Sequence, residues 1–479
     1  MDDSVHSGVL DFTALFRKPR STSGRTRPLT QTGAPITSAD DIRAVAGGEI
    51  RARDGGLVRG IGPWALAASV VNGVVGAGIF SLPASMARAA GDLAPLAYVL
   101  CAVAMGAVVT CFAEAGSRVP TSGGAYGYVE AAFGRLPGFV AGMLIWASSV
   151  LACGGIAAAV ADTLVEPSPL AGVWRAAVIL GVIGVIALVN LRGVRGAARL
   201  VAGATAIKLI PLLFFVVAGA LVAPGIAPAS AAPAVHADFG RALILALFAF
   251  CGMETPLGAS GEVRDPARTL PRALGGAMLC VLLLYVAIQL VAQRLLGAGL
   301  AQAAAPLADA ASRIAPGAGL LLLAGATLSM ASWIGSDILG APRLLFAFAR
   351  DGRLPGFLGR LSADAHVPAN AIIVHASLAA ALALSGSFVQ LAVLSTLDTA
   401  ALYALACAAA WVIHRRRLQL AGGSLHIRML PLASGLGIVS MLALIGVARP
   451  IEIAGLFATI AVSMLIFAAM GRIAPGDAS

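Results

Sequence analysis

The sequence predicts an all-α integral membrane protein of about twelve transmembrane helices: a five-plus-five inverted repeat with two helices appended. Three observations carry that expectation. Of 479 residues, 59% are hydrophobic and only 12% charged, about half the charged share of a soluble domain. A bilayer crossing takes about 20 apolar residues, and the chain supplies such runs many times over. Two of those runs are interrupted by dense Gly and Pro clusters, one repeat apart.

Residues 1–60 are polar and basic, rich in Ser, Thr, Gly and Arg, and are expected to be a disordered tail. The first apolar run starts near Ile61 and has no small-residue cleavage site at its end, so it is expected to be a retained span rather than a signal peptide. Spans are expected at 61–90, 93–117, 136–161, 173–191, 199–222, 240–260, 271–293, 318–348, 369–385, 388–413, 429–448 and 450–471. The repeats are then 61–222 and 240–413, which form a ten-helix core over 61–413. A loop at 414–428 leads to the appended pair at 429–472. Most spans are apolar on all faces, as membrane helices are. The run 318–348 is long enough for a tilted helix that continues past the bilayer.

Charge gives the orientation. Of 33 Lys and Arg, 26 fall in the tail, the C-terminus and the loops on one side, and six on the other. The positive-inside rule places both termini in the cytoplasm of a cell with this protein in its inner (plasma) membrane. The +10 net charge is therefore a topology signal and calls for no nucleic-acid partner. The six cysteines lie inside apolar runs, with no two at metal-ligand or disulfide-framework spacing, and the six histidines form no H-E-x-x-H pattern. No metal and no cofactor is expected.

The first span contains Asn72-Gly73-Val74-Val75-Gly76-Ala77-Gly78-Ile79-Phe80-Ser81-Leu82-Pro83. The sixth contains Phe248-Ala249-Phe250-Cys251-Gly252-Met253-Glu254-Thr255-Pro256-Leu257-Gly258. Gly and Pro weaken a helix interior, so both spans are expected to unwind mid-membrane. Unwound backbone at that depth survives only where it lines a cavity or is buried in protein. Interrupted segments at matching positions of two halves point to a transport site. Membrane helices are rich in Gly in any case, but that does not produce two clusters one repeat apart. Nor are these nucleotide loops: the third glycine of G-x-G-x-x-G is missing after Gly78, and no G-x-x-x-x-G-K-[ST] occurs. Free N–H groups at the start of the outer half-helix favour an anion such as a carboxylate. Free carbonyls at the end of an inner half-helix favour an ammonium. A zwitterionic α-amino acid matches both.

At these residues a family resemblance becomes visible. Gly76-Ala77-Gly78-Ile79-Phe80 resembles the G-[SA]-G-I-F motif of the first helix of the amino acid–polyamine–organocation superfamily. The stretch Phe248 to Arg272 resembles that superfamily's sixth helix and following loop, F-x-G-x-E leading to E-x-x-x-P-x-R-x-x-P-R. Pro120 to Tyr126 is similar to its P-x-S-G-G-x-Y loop, and Ala349 to Pro355 to its A-R-D-G-x-L-P helix end. The resemblance covers about 61–413 and implies a leucine-transporter-type fold and amino-acid permease activity. It implies that the backbone around Val75, Gly76, Ala77, Gly78 and Ile79 holds the substrate carboxylate. The carbonyls around Phe248, Cys251 and Gly252 would hold the amine, with Phe248 as an aromatic gate.

Charges inside the membrane cost at least about 2.5–3.5 kcal/mol, so each needs a reason. Lys208 lies mid-span, and Lys18 in the tail is the only other lysine; every other cation is Arg. A desolvated Lys can lose its proton near neutral pH, whereas Arg stays charged. A lysine here resembles that of proton-coupled, sodium-independent relatives, where the ammonium replaces a sodium ion against helix one. Snorkelling to an interface is the weaker alternative, because neither end of the span is near. Glu254 is read either as a proton carrier or as a carboxylate capping the broken helix. Asp337 either binds a cationic substrate side chain or neutralises a neighbour. His375 and Asp398 are read as structural, and Glu114 as the partner of a basic loop residue.

The expectation is secondary active transport of an amino acid by alternating access, proton-coupled and sodium-independent. The alternative is an amino acid or polyamine exchanger, though a polyamine has no carboxylate for the glycine break to bind. An enzyme is not expected, since no nucleophile–base or ligand cluster appears. A receptor would carry a soluble output domain, for which the tail is too short and polar. Expected partners are the amino acid, protons, the lipid bilayer and, as an option, a second copy of the chain.

Overall fold

The computed structural model describes residues 60–473 apart from 77, 120, 122, 166–167, 223–237, 259, 363–364 and 421–424; of 194–207 and 471–473 it describes the backbone only. The expected disordered tail therefore lies outside the described residues. Among those described there is no strand, only an isolated parallel bridge between Ile61 and Val263. Seven helical stretches are long and apolar enough to cross a membrane, and five shorter apolar helices accompany them.

The first span folds as α1 (Pro63–Val74) and α2 (Gly78–Ala90). Pro63 opens α1, where its missing N–H costs nothing. Then follow α3 (Ala94–Arg118), a short α4 (Gly124–Phe133), α5 (Arg135–Leu164), α6 (Ala171–Leu191) and α7 (Val194–Val222). The sixth span divides into α8 (Phe239–Phe250) and a single turn α9 (Glu254–Leu257). Next come α10 (Pro266–Leu296), α11 (Pro306–Ala311), α12 (Ala318–Gly340) and α13 (Pro342–Arg350). The last are α14 (Ala369–Ser385), α15 (Phe388–Arg415), α16 (Leu430–Gly446) and α17 (Pro450–Ile473).

The long eighth span is the single helical stretch expected, Ala318–Arg350, interrupted only at Ala341, between α12 and α13. Pro342 has no N–H to return to Ile338, and its ring crowds that turn. One feature departs from the sequence expectation. The segment between the second and third spans is not a plain loop: α4 fills it and is buried along nearly its whole length.

The core sits between α5 and α15, α3 and α10, and α7 and α12, with α1 packed on α10 and α2 on α8. Small residues allow the close approaches: a Cβ on Gly154 would meet the Ala379 carbonyl at 2.9 Å. α6 and α17 turn large apolar side chains outward, among them Trp174, Val185, Phe457 and Leu465. In water such a surface would be a liability; against acyl chains it is the expected contact.

Candidate functional site

The two interrupted helices meet at their breaks, backbone against backbone. Gly252 has φ +113°, a conformation reserved in practice for glycine. A Cβ there would lie 2.6 Å from the Gly73 carbonyl oxygen, and one on Gly73 would lie 2.9 Å from that of Gly252. Only hydrogens fit between these chains.

A helix that stops mid-membrane leaves its last four carbonyls without helical partners. At the end of α1 all four are met. Val75 N–H donates to Val71 O at 2.7 Å. Lys208 Nζ, from α7, donates to Asn72 O at 2.6 Å. Trp333 Nε1, from α12, donates to Gly73 O at 3.4 Å. Tyr285 Oη, from α10, donates to Val74 O at 2.9 Å, and Gly76 N–H donates to the same carbonyl at 2.7 Å. Three side chains from three distant segments thus cap one broken end. The ammonium among them faces the negative pole of the α1 dipole.

The end of α8 is arranged differently. Cys251 N–H serves the carbonyls of Leu247 and Phe248, at 3.0 and 3.2 Å. Glu254 Oε2 accepts from Gly252 N–H at 3.1 Å and from Tyr403 Oη at 2.6 Å. Of the two readings of Glu254, the geometry favours the cap, because its carboxylate fixes the turn and ties it to α15.

The expected carboxylate-binding residues fall as follows. Val75 and Ile79 bury their side chains in the core, so they offer backbone only. The Trp333 ring lies directly against Gly76, where any Cβ would overlap it. The Phe248 ring covers Gly78: a Cβ there would stand 3.2 Å from Cε1. Phe248 is itself held edge-on by Phe388, with ring centroids 5.8 Å apart. Ala77 lies outside the described residues. A narrow cleft opens on the first turn of α2 at Phe80 and Ser81 and is walled by Leu307, Leu323 and Met330.

Asp337 joins this constellation only through its helix. One carboxylate oxygen accepts from the Ser149 hydroxyl, and the other pairs with His375 Nε2 at 2.8 Å. Both oxygens have partners, which favours the neutralising alternative over substrate contact. His375, read as structural, is that partner. Asp398 is buried with Thr459 Oγ1 3.5 Å away. Glu114 is paired, but with helical residues rather than the loop residue expected: Arg118 Nε, one turn along α3, lies at 2.9 Å and His414 Nδ1, on α15, at 2.6 Å from Oε1.

Sequence reasoning missed Asn72, Tyr285, Trp333 and Tyr403. A signal existed in kind: a Tyr or Trp inside an apolar span must find a partner for its polar tip. Nothing in the sequence says which carbonyl that partner is.

Residues 61–472 match the family model described as "Amino acid permease". The chain is 31% identical over 348 residues to an uncharacterized transporter of Mycobacterium tuberculosis, covering 66% of this chain and 72% of the relative. It is 32% identical over 352 residues to a second uncharacterized transporter of that organism, covering 70% and 76%. It is 25% identical over 357 residues to a vacuolar cationic amino acid transporter of Arabidopsis thaliana, covering 70% of this chain and 60% of the relative. The apolar helices, the paired breaks and these matches place the chain in one group: it is a multi-pass membrane protein of the amino acid permease family, within the amino acid–polyamine–organocation superfamily, and a transporter rather than an enzyme.

Proposed function

We propose that the protein carries amino acids by alternating access, driven by protons and independent of sodium. The observation that carries this reading is the Lys208 ammonium, 2.6 Å from the Asn72 carbonyl at the broken end of α1. A sodium ion coordinated there would need those same carbonyl oxygens. A tethered ammonium fills that place and, unlike a metal ion, leaves its charge behind only by giving up a proton.

The substrate carboxylate docks on the backbone of the Gly76–Ile79 stretch, at the positive pole of α2, using N–H groups other than that of Gly76, which already serves Val74 O. Its amine docks on the carbonyl end of α8, at Phe248, Cys251 and Gly252. Phe248 closes over it. Lys208 carries the coupled proton, and Glu254 is second in line for that role. The helices form twelve crossings, five plus five as inverted repeats with α16 and α17 appended. Both termini lie on the cytoplasmic side of the inner membrane, where the arginines gather.

The test is uptake into proteoliposomes at several external pH values, with sodium replaced by choline. Wild type should transport without sodium and accelerate under an inward proton gradient. Lys208→Ala should lose that acceleration, and so should Lys208→Arg, whose guanidinium keeps its charge. Strict sodium dependence, or an unaltered pH profile in Lys208→Ala, defeats the proposal. Uptake only into vesicles preloaded with an amino acid would instead mark an exchanger.

A further inference from the structure

We infer that Cys153, Asp337 and His375 form a binding site for a zinc-like transition-metal ion, separate from the helix breaks. The three residues come from α5, α12 and α14, so spacing along the chain gives no sign of the site. Their ligand atoms all lie within 4.8 Å of one another. Cys153 and His375 are wholly buried, and the Asp337 side chain is only 6% exposed. The Asp337 carboxylate is the hub. It accepts from the Ser149 hydroxyl, from the Cys153 thiol and from His375 Nε2 at 2.8 Å. Thiol and imidazole become metal ligands once the protons they share with that carboxylate are gone. Tetrahedral zinc, with bonds of about 2.0–2.3 Å, needs its ligand atoms roughly 3.3–3.6 Å apart. The His375–Asp337 contact is therefore the one that has to open slightly. Nothing else holds the ring, because His375 Nδ1 is buried without a hydrogen-bond partner.

The donor set selects the ion. Sulfur, imidazole and carboxylate together suit zinc, whereas magnesium and calcium take oxygen ligands. One thiolate and one carboxylate offset the two charges of the ion, so the loaded site is neutral, which suits a place inside the membrane. On binding, the Cys153 thiol gives its proton to water and Sγ bonds the metal. One other cluster of metal-ligating side chains occurs among the described residues, Glu114 with His414 and His426. There the Arg118 guanidinium already takes the place of a cation, 2.9 Å from Glu114 Oε1 and 3.2 Å from His426 Nδ1. Among the described residues Asp337 is bridged to no arginine or lysine, only to His375. Asp337 lies one turn along α12 from Trp333, which caps the broken end of α1. A bound ion would thus tie the helix that carries this cap to α5 and α14.

Cobalt(II) is the probe, because its thiolate charge-transfer band and visible bands report a coordination that zinc leaves colourless. Tag-free, full-length protein in detergent would be dialysed to equilibrium against cobalt(II), then against zinc. The wild type should take up cobalt with a thiolate-to-cobalt band, and zinc should displace it and raise the thermal midpoint. Cys153→Ser should abolish the band. Asp337→Asn and His375→Gln should each weaken binding by at least about tenfold. His426→Ala, at the other cluster, should leave band and affinity as they are. Absence of a thiolate band in the wild type, or a band that survives Cys153→Ser, overturns the inference. So does binding that is lost in His426→Ala and kept in Cys153→Ser. Should Asp337→Asn or His375→Gln fail to fold, Cys153→Ser, which exchanges a single atom, still decides.

Discussion

Gly252 and Gly78 are both glycines of a helix break, but the structure demands them for different reasons. At Gly252 the demand is conformational as well as steric, since φ is +113° and the Gly73 carbonyl stands where a Cβ would go. At Gly78 it is steric alone, because the rings and methyls of Phe248 and Leu82 close over the position. Gly252→Val is therefore expected to destabilise the fold itself, by about 1–2 kcal/mol for the left-handed backbone alone and more for the collision. Gly78→Leu should instead leave a folded protein that binds no substrate, because only flexible side chains must give way. Thermal unfolding in detergent and substrate binding, measured on both variants, separate the two. Normal uptake by Gly78→Leu would remove the α2 turn from the site. Lys208 was legible in the sequence because its rarity and depth needed no structure to notice. Its partner was not: Asn72 contributes a backbone carbonyl, and a carbonyl leaves no trace in residue type.

Elements show where the sequence speaks and where it falls silent. The breaks between α1 and α2 and between α8 and α9 were legible, because each gathers several helix-weakening residues into one run. The interruption at Ala341, between α12 and α13, rests on one proline inside an apolar stretch that otherwise runs on as the long helix expected. The capping of α1 by Tyr285, Trp333 and Lys208 was illegible, because three spans far apart in sequence contribute one atom each. The C-terminal end of α3 is another such assembly. Glu114 takes Arg118 and His414 on one oxygen and Ile427 N–H at 2.9 Å on the other. Leu420 N–H reaches Arg118 O at 2.8 Å, and His426 Nδ1 lies 3.2 Å from Arg118 Nη2. Residues on both sides of 421–424 are thereby strapped across α3. Arg118 and Glu114 side chains are only 5% and 1% exposed, so this is a desolvated pair, not a surface bridge. Removing one member of such a pair costs about 3–5 kcal/mol. Arg118→Ala should lower thermal stability by that order, and adding Glu114→Gln should recover part of the loss. Strictly additive losses in the double-substitution cycle would mean the two side chains do not act on each other.

On the scale of the whole molecule, the motifs that carried the family resemblance lie against one another or against residues beside them. Tyr126 stacks edge-on against Phe348 at 5.5 Å, Glu130 is ion-paired with Arg353, and Ser260 donates to the Thr121 carbonyl at 2.9 Å. One further tie joins the two interrupted spans directly. Ile61 N–H donates to Glu262 O at 3.0 Å, and Arg264 N–H donates to Ile61 O at 2.9 Å, so the residue just before α1 is stitched to the loop after α9. On the proposed topology, both ends of this tie lie on the arginine-rich side. Under alternating access, a path to that side has to part α1 from its surroundings, and a tie made of two backbone hydrogen bonds can break and re-form at little net cost. A covalent bond in the same place cannot. Ile61 and Val263 face each other across the bridge, so Ile61→Cys with Val263→Cys should form a disulfide under mild oxidation. The oxidised double variant is expected to lose uptake, dithiothreitol should restore it, and neither single variant should respond. Cross-link formation would be followed by mass spectrometry, because the chain carries six cysteines of its own. Full transport by verified cross-linked protein would show that α1 and the 262–264 segment travel together, and the moving boundary would then have to lie on the other face of α1, against α10.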